Sequence, residues 1–330
     1  MDKTRKLLSF RYSKTNPFNR ISKTKLEHHR LKVKTSANEA CPICKKTNVT
    51  LISEVDRTGF FCDTVICCYC NLVFNDTLII EPIKYYGNLY GKLMWKKSAE
   101  ENFINRTSPN AYSWKRLAYV ALNMGEDFQK VKSVLEIGCA DGCNLYPYHI
   151  HGMVVKGYDY GKEYLKVGCN RGMNLVQGDF SKCDQKFDLI LLVHTFHQLF
   201  ELDDVVRNVH HLLKDEGRVY VEVPGIRNWN REQKMSLKED GFVSSNNFLL
   251  YLQYQHNYHF DLNHLIEFWQ RNGFEMVNGD EWVRALFKKG KVQDKISFDY
   301  DIFSYLQAVE KNYLSPKNLM GKIARRMLRT

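Results

Sequence analysis

The sequence lacks any run of about 20 consecutive apolar residues, the length that a membrane-spanning helix needs. Its longest apolar stretch, LILLVHTF, is typical of a buried strand. The first residues also lack the apolar segment of about 7 to 15 residues found in secretory signals, because LLSF is too short; their basic, acid-poor character leaves a transit peptide as an alternative. The sequence therefore predicts a cytoplasmic globular protein whose ten cysteines are thiols or metal ligands rather than disulfides.

Acidic residues are scarce at both ends of the chain. Residues 1–34 hold eleven Lys and Arg against Asp2 and Glu27, and residues 316–330 hold five with no acid. The net charge of +11 thus comes from the ends, and the body between them carries −3. A groove for duplex nucleic acid would spread its positive charge over the folded surface, so no specific nucleic-acid partner is expected. The ends are predicted to be solvated tails, with contact to an anionic membrane face as the functional alternative.

From residue 131 onward, short apolar runs alternate with amphipathic segments. Alternating strands and helices at this spacing predict an α/β fold with a doubly wound, mostly parallel sheet. The last two strands are joined by only a few residues, too few for a crossover, so they are expected to be antiparallel. The predicted strands are 133–137, 153–158, 174–177, 187–193, 218–223, 274–278 and 282–288, and the predicted helices are 142–151, 161–171, 202–213 and 261–271.

The turn after the first of these strands lacks two of the three glycines of a dinucleotide-binding turn. In VLEIGCADGCN, residues 134–144, Gly138 is present, but Ala140 and Cys143 occupy the other two positions. Acids at the carboxyl ends of the first three strands characterise the site better: Glu136, Asp159 and Asp179. These ends open at the edge of a doubly wound sheet where ligands bind. The acids suit a ligand with ribose hydroxyls, an exocyclic amine and a positive charge.

Two CxxC pairs, Cys41-Pro-Ile-Cys44 and Cys67-Cys-Tyr-Cys70, are separated by twenty-two residues. Each CxxC turn can place two thiolates on one tetrahedral ion, and two pairs together close a structural zinc site. The sequence therefore predicts that Cys41, Cys44, Cys67 and Cys70 bind Zn²⁺, with Cys68 as a substitute for Cys67. Buried cysteines without a metal are the alternative.

At these positions the chain resembles the class I S-adenosylmethionine-dependent methyltransferases over about residues 129–289. VLEIGCADG is similar to the first motif of that family, Asp159 to its ribose-binding acid, QGDF to its adenine-side motif, and FDLILLVHTFHQL to the strand with the post-adenine motif. VYVEVPG and QHNYHFDLNHLIEFWQRNGFEMV match later elements. The resemblance implies a seven-stranded Rossmann-like sheet and S-adenosyl-L-methionine as cofactor. The implied cofactor-binding residues are Glu136, Gly138, Cys139, Gly142, Asp159, Tyr160, Asp179, Phe180 and His194.

The segment from CPICKKTNV to YYGNLYGKLM resembles the N-terminal zinc-binding region of enzymes that methylate nucleotide-linked sugars or bacterial surface glycans. In those enzymes the ribbon and the following Tyr-rich helix form a lid over the acceptor, which gives Tyr85, Tyr86 and Tyr90 a role in stacking on a sugar or covering the sheet edge. The large C-terminal domain of the C-methylating branch is absent, which favours O- or N-methylation. The implied organisation is a basic tail (1–38), a zinc ribbon (39–82), a helical lid or linker (83–128), the methyltransferase domain (129–289) and a helical extension with a basic end (290–330).

Transfer of a methyl group from a sulfonium is an in-line displacement, and an oxygen acceptor also loses a proton, most often to a histidine. The sugar C-methylating branch carries a Glu-His pair where this chain reads Gln255-His256, so His256 is the first candidate for the base. Each histidine is alternatively a hydrogen-bonded structural residue. The full set of candidates near the active edge is His194, His197, Glu222, His256 and His259.

The expected function is methyl transfer from S-adenosyl-L-methionine to a sugar in polysaccharide or nucleotide-sugar biosynthesis, with a small-molecule or glycan acceptor. One alternative is an RNA or protein methyltransferase in which the ribbon and the basic tails grip a polyanion. Another is a binding module without activity. The acids Glu136, Asp159 and Asp179 argue against that last alternative, because a dead site has no reason to keep them together.

Overall fold

The computed structural model describes residues 35–38, 40–57, 61–79, 82–87, 98–229, 248–293 and 301–314. Residues 1–34 and 315–330, which hold the basic ends, lie outside this part of the chain, as does Tyr90. The last residues of the predicted tail, Thr35–Ala37, form a strand. Within the described ranges, no helix has the length and apolar character to cross a membrane.

Thirteen strands occur in the described residues, and they are numbered in chain order: β1 Thr35–Ala37, β2 Val49–Val55, β3 Phe61–Cys67, β4 Val73–Asn75, β5 Thr77–Ile79, β6 Ser133–Ile137, β7 Val154–Asp159, β8 Asn174–Gln177, β9 Phe187–Val193, β10 Leu213–Glu222, β11 Tyr258–His259, β12 Phe274–Asp280 and β13 Arg284–Lys289. The α-helices of the same residues are α1 Pro82–Tyr85, α2 Ala99–Thr107, α3 Tyr112–Met124, α4 Tyr146–Ile150, α5 Lys162–Cys169, α6 Leu202–Leu212, α7 Leu262–Arg271 and α8 Ile302–Leu314. Short 3₁₀ helices span Gly125–Lys130, Phe180–Lys182, Phe196–Gln198, Ile226–Asn228 and Phe248–Leu250.

The largest sheet has seven strands in the order β12-β13-β10-β9-β6-β7-β8. Strands β10, β9, β6, β7 and β8 are parallel, whereas β13 is antiparallel to both of its neighbours. The central strands read as apolar runs because helices cover both faces of the sheet, and FDLILLV of β9 is buried at nearly every position. This arrangement confirms the predicted doubly wound Rossmann-like fold with an antiparallel final hairpin.

The elements of this sheet begin and end near their predicted positions, with two informative differences. The helix expected from residue 142 begins at Tyr146, because residues 138–142 form a turn in which Gly138 and Gly142 have positive φ. Strand β10 begins at Leu213 rather than at 218, because Leu213 pairs with Phe187 ahead of a shift in register.

A second sheet of four strands has the order β11-β4-β3-β2. Strands β2, β3 and β4 follow the first CxxC turn, and β3 and β4 flank the second, as expected of a ribbon. The fourth, β11, comes from far along the chain: Tyr258 pairs with Phe74 and His259 pairs with Val73. The cysteine-rich module and the methyltransferase domain therefore share one sheet, which no local pattern predicted.

Two helices precede the large sheet and supply arginines to the site. Helix α2 begins at a capping box, in which Ser98 and Glu101 exchange hydrogen bonds between side chain and backbone. At its other end, Trp114 of α3 donates its indole N–H to the carbonyl of Thr107, which ties the two helices together.

Candidate functional site

The glycine turn lies between β6 and β7 and is shaped by a close approach to the end of β9. Gly138 has φ +75°, and a Cβ at this position would lie 2.2 Å from Oγ1 of Thr195. The turn is fastened to the next strand, because the backbone N–H of Ala140 donates to Oδ2 of Asp159 at 2.9 Å. The backbone N–H of Gly161 donates to Oδ1 of the same carboxylate at 2.8 Å. Asp159 therefore joins the loops after two neighbouring strands.

A cavity of about 410 Å³ opens over this turn at the carboxyl edge of the sheet. A cavity of this size can hold a nucleoside-sized ligand. Tyr86, which follows helix α1, lines this cavity. Leu199 and Phe200, which precede α6, also line it. Six of the nine predicted cofactor-binding residues line this cavity: Gly138, Asp159, Tyr160, Asp179, Phe180 and His194.

The other three predicted cofactor residues lie behind the cavity wall. Cys139 packs against Gly157, where a Cβ would come within 2.6 Å of its sulfur. Gly142 packs against Met173 and Leu175. Glu136 is fully buried, and its Oε1 accepts a hydrogen bond from Asn144 at 2.7 Å. Burial raises the pKa of Glu136 to about 8.

Two arginines at this edge of the sheet were missed in the sequence. Arg106 of α2 lines the cavity, and its guanidinium lies 3.3 Å from Oδ2 of the buried Asp141. Arg116 of α3 forms a two-pronged ion pair with Glu222, with distances of 2.7 and 2.6 Å. Both lie outside the methyltransferase motifs, in the segment predicted only as a helical lid or linker (83–128), and no pattern in the sequence marked either arginine.

Glu222 ends β10 and is surrounded by hydrogen-bond donors. Besides Arg116, the hydroxyl of Tyr220 donates to its Oε2 at 2.6 Å, and Nε2 of His194 lies 3.1 Å from its Oε1. Although burial opposes ionisation, the bonds from Arg116 hold the pKa of Glu222 well below its usual range. Glu222 is therefore a fixed negative charge beside a histidine that lines the cavity.

The other histidines form a buried cluster next to the cavity. The rings of His197 and His256 make an edge contact with centroids 4.3 Å apart, and His259 lies 6.2 Å from His256. Among the described residues, Nδ1 of each of these three rings has no hydrogen-bond partner, nor has Nε2 of His259. Burial lowers the pKa of His197 and His256 well below the usual value and that of His259 to about 3. The three imidazoles are thus neutral at physiological pH.

Asn257 links this histidine cluster to the cavity wall. Its amide donates to the carbonyl oxygens of Gln198 and Leu199 at 2.7 and 3.2 Å, and both of those residues line the cavity. Its Oδ1 is buried and has no partner in the described part of the chain. Several buried polar atoms of the described residues next to the cavity therefore have no hydrogen-bond partner, which is unusual in a folded protein.

The four predicted metal ligands come together in the cysteine-rich module. The sulfur atoms of Cys41, Cys44, Cys67 and Cys70 all lie within 4.8 Å of one another. Four thiolates on a tetrahedral Zn²⁺, each at about 2.3 Å, would have their sulfur atoms about 3.8 Å apart, so the cluster fits this ion. Hydrogen bonds among the four thiols lower the pKa of Cys44 to about 7 and hold that of Cys67 below its usual range, whereas they raise the pKa values of Cys41 and Cys70. Cys68 is exposed and its sulfur lies near Thr50, so Cys67 is the member of this cluster.

The two cysteine turns have the same local geometry. Lys45 donates its N–H to the carbonyl of Cys41, and Asn71 donates in the same way to Cys67. Both donors have φ of +58°. The second turn is also held to the methyltransferase domain, because Nε2 of His264 in α7 lies 2.6 Å from the carbonyl oxygen of Cys70.

The sequence profile of a methyltransferase domain family matches residues 111–278, about half of the chain. The fold is that of a methyltransferase. The chain belongs to this methyltransferase domain family. No curated protein sequence matches it.

Solved structures with a similar fold differ widely from this chain in sequence. An amino pentose methyltransferase of calicheamicin biosynthesis from Micromonospora echinaspora is 18% identical, with 39% of this chain and 52% of that chain covered and a TM-score of 0.30. The magnesium protoporphyrin IX methyltransferase of Synechocystis PCC 6803 is 11% identical, with 53% and 81% covered and a TM-score of 0.39. A plantazolicin methyltransferase is 14% identical, with 67% and 85% covered and a TM-score of 0.43. The chain spans about half the length of the first of these proteins.

Proposed function

We propose that this methyltransferase transfers a methyl group from S-adenosyl-L-methionine to an oxygen or nitrogen of a sugar, as part of a nucleotide-linked or surface-glycan intermediate. The observation that carries the donor is the cavity in which Gly138, Asp159 and Asp179 meet. Because Gly138 has no side chain, the wall of the cavity is flat at this point and the donor can lie against the backbone. In this proposal Asp159 accepts from the two ribose hydroxyls and Asp179 accepts from the adenine amine.

The amino-acid end of the donor needs a cation for its carboxylate, and we assign that role to Arg106. This guanidinium lines the cavity on the side of Gly138 and Ala140, where the chain before the sheet meets the glycine turn. When bound, S-adenosyl-L-methionine supplies an electrophilic methyl group on a positively charged sulfur. The residues of this chain hold the donor and the acceptor in line and exclude water.

The acceptor is assigned from the buried histidine cluster and Asn257. The unpartnered atoms of His197, His256, His259 and Asn257 are polar but uncharged. Neutral donors and acceptors of this kind match the hydroxyl groups of a sugar, whereas a phosphate would be met by cations. Because burial weakens His197 and His256 as bases, we assign them to hydrogen bonding of the acceptor and leave proton removal to His194.

We assign Zn²⁺ to the four-cysteine cluster as a structural ion. A site with four thiolates leaves no position for a substrate, so the ion would stabilise the ribbon without taking part in methyl transfer. Through β11 the ribbon also supports the segment that carries His256 and His259.

Calorimetry with S-adenosylhomocysteine tests the donor assignment. We expect the full-length, zinc-loaded protein to bind it, and Asp159→Asn to weaken binding about 10- to 100-fold, since hydrogen bonds from ribose to a charged carboxylate contribute about 1.5–3 kcal/mol. Asp188→Asn is the matched control, because Asp188 lies at the opposite end of the sheet, where it accepts from Ser133. Equal affinity in the wild type and Asp159→Asn would remove the basis for the donor site.

Transfer of a labelled methyl group tests the acceptor assignment. The wild type is incubated with labelled S-adenosyl-L-methionine and, in separate reactions, with a panel of nucleotide sugars, an RNA oligonucleotide and a peptide mixture. Label in a nucleotide sugar supports the proposal. Label in RNA or peptide alone would replace it with the corresponding alternative.

A further inference from the structure

Three side chains from three different elements meet beside the cavity. Arg116 comes from α3, Glu222 from the end of β10 and His194 from the residue after β9. The guanidinium of Arg116 donates to both carboxylate oxygens of Glu222, at 2.6 and 2.7 Å. Nε2 of His194 lies 3.1 Å from Oε1 of Glu222 and 3.3 Å from a nitrogen of the guanidinium. Of the three, His194 is the one that lines the cavity.

The ion pair of Arg116 and Glu222 is largely buried and receives further hydrogen bonds. The side chains of Arg116 and Glu222 are only 14% and 12% exposed, so both charges have lost most of their water. Such a pair persists where further hydrogen bonds satisfy it. Here the hydroxyl of Tyr220 donates to Glu222, and Arg116 also donates to Oδ1 of Asn144. The carboxylate is therefore held in one orientation, with Oε1 facing His194.

His194 itself is held in a backbone conformation that side chains rarely adopt. Its φ is +52°, and its backbone N–H donates to the carbonyl of Glu222 at 2.8 Å. Strain of this kind persists where the surroundings enforce it, and it collects at functional sites. Glu222 thus fixes both the backbone and the ring of His194.

We infer that Arg116 is a positioning residue that, through Glu222, holds His194 with a proton on Nε2 and leaves Nδ1 to receive the proton of the acceptor. In this arrangement Glu222 would accept from Nε2–H across the 3.1 Å between Nε2 and its Oε1, which leaves Nδ1 as the ring nitrogen without a proton. The inference rests on the proposed function, because it requires an acceptor that loses a proton.

The proton transfer balances within this arrangement. As the acceptor O–H bond breaks, its proton moves to Nδ1 and the oxygen electron pair forms the bond to the methyl carbon. The electrons of the sulfur–methyl bond return to sulfur, which becomes neutral. Two charged groups of the described residues lie beside the ring, Glu222 and Arg116. Among the described residues, the ring of His197 contacts that of His194 edge-on, with centroids 6.5 Å apart.

The test compares Arg116→Gln and Arg116→Lys with a matched control, Arg218→Gln. Arg218 is similarly buried, at 12% exposure, and pairs with Asp127 at the other end of β10, away from the cavity. Tyr220→Phe is a milder variant that removes only the hydroxyl bond to Glu222, and it keeps the test available if Arg116→Gln does not fold. Each zinc-loaded, full-length variant is measured by histidine ¹⁵N NMR, by binding of S-adenosylhomocysteine, and by methyl transfer into the nucleotide-sugar panel.

We expect His194 of the wild type and of Arg218→Gln to show the Nε2–H tautomer, and Arg116→Gln to show a mixture of tautomers. Because small misplacements of a reacting group cost up to about 100-fold, we expect kcat in Arg116→Gln to fall about 10- to 100-fold, with KM and donor affinity nearly unchanged. Arg116→Lys restores the rate only in part, because an ammonium lacks the fork geometry. We expect Tyr220→Phe to lower kcat in the same direction by a smaller factor.

If His194 of Arg116→Gln keeps the wild-type tautomer, the inference is overturned. Where Arg116→Gln does not fold, the same result in Tyr220→Phe overturns it. This reading does not depend on whether any acceptor in the panel is methylated. A loss of donor binding equal to the loss of kcat would also overturn it, because it would show a general structural role. Failure of the wild type to bind S-adenosylhomocysteine would instead count against the proposed function, while the NMR result still decides the arrangement of His194.

Discussion

Replacing Arg106 by glutamine tests the assignment of the donor carboxylate. Arg106→Gln removes the positive charge at the cavity wall while keeping a shorter polar side chain. S-adenosylhomocysteine carries the carboxylate, whereas 5′-methylthioadenosine has the same nucleoside and thioether without the amino-acid end. The two ligands together therefore separate loss of one ionic contact from general damage to the cavity.

The expected magnitude follows from the exposure of the guanidinium. A hydrogen bond to a charged group contributes about 1.5–3 kcal/mol. The side chain of Arg106 is 38% exposed, so solvent screening reduces this to about 1–2 kcal/mol. At about 1.4 kcal/mol per factor of ten, the Kd of S-adenosylhomocysteine should rise about 5- to 30-fold. The Kd of 5′-methylthioadenosine should stay within about twofold of the wild-type value.

Isothermal titration calorimetry with both ligands is the assay, and Arg106→Lys is the conservative control. The lysine keeps the charge, so it should recover part of the affinity for S-adenosylhomocysteine. The substitution by glutamine also leaves the buried Asp141 without its ion pair, so the thermal unfolding temperature is measured in parallel. Equal weakening of both ligands, or unchanged affinity for S-adenosylhomocysteine, would refute the assignment.

Three further predictions concern the glycine turn, a buried acid and the metal. Gly138→Ala should abolish binding of S-adenosylhomocysteine, because the new Cβ would collide with Thr195. The control is Gly152→Ala, where φ is +80° but no atom of the described residues beyond its chain neighbours lies within 4 Å of the new Cβ. It should lower the free energy of unfolding in urea by only about 1–2 kcal/mol and should leave binding unchanged. Burial raises the pKa of Glu136 to about 8, so between about pH 4.5 and 8 the folded protein binds one proton more than the unfolded chain and loses stability as the pH rises. In urea unfolding at several pH values, Glu136→Gln should therefore gain stability relative to the wild type across this range. Substitution of an exposed acid, Glu126→Gln, should show no such gain. Metal analysis should find one Zn²⁺ per chain, and its removal by a chelator should abolish methyl transfer before it abolishes donor binding.

The large sheet could be predicted because its signals are local. The parallel strands are short apolar runs, four of which end at or beside a glycine or an acid, and Glu136, Asp159 and Asp179 lie at the ends of β6, β7 and β8. Parallel strands bring their carboxyl ends to one edge, so a pattern in sequence becomes a cluster in space. The cysteine cluster was predictable for a similar reason, because CxxC spacing alone places two sulfur atoms together.

The arginines and β11 were not predictable, because their roles depend on partners far along the chain. Arg116 meets Glu222 across 106 positions, and nothing in the helix distinguishes it from a solvated arginine. The strand Tyr258–His259 has two residues, too few for a periodic pattern. The histidine motif suggested a base, whereas the protonation of His197 and His256 depends on burial that only packing determines.

The pairing of β11 with β4 also bears on the order in which this protein is made. During synthesis, β2, β3 and β4 leave the ribosome early, but the sheet they belong to lacks its outer strand until His259 has followed. Until then β4 presents an unpaired edge, which is a template for pairing with other chains. The four-stranded sheet thus draws three strands from near the N-terminus and can be completed only after β11 has been made.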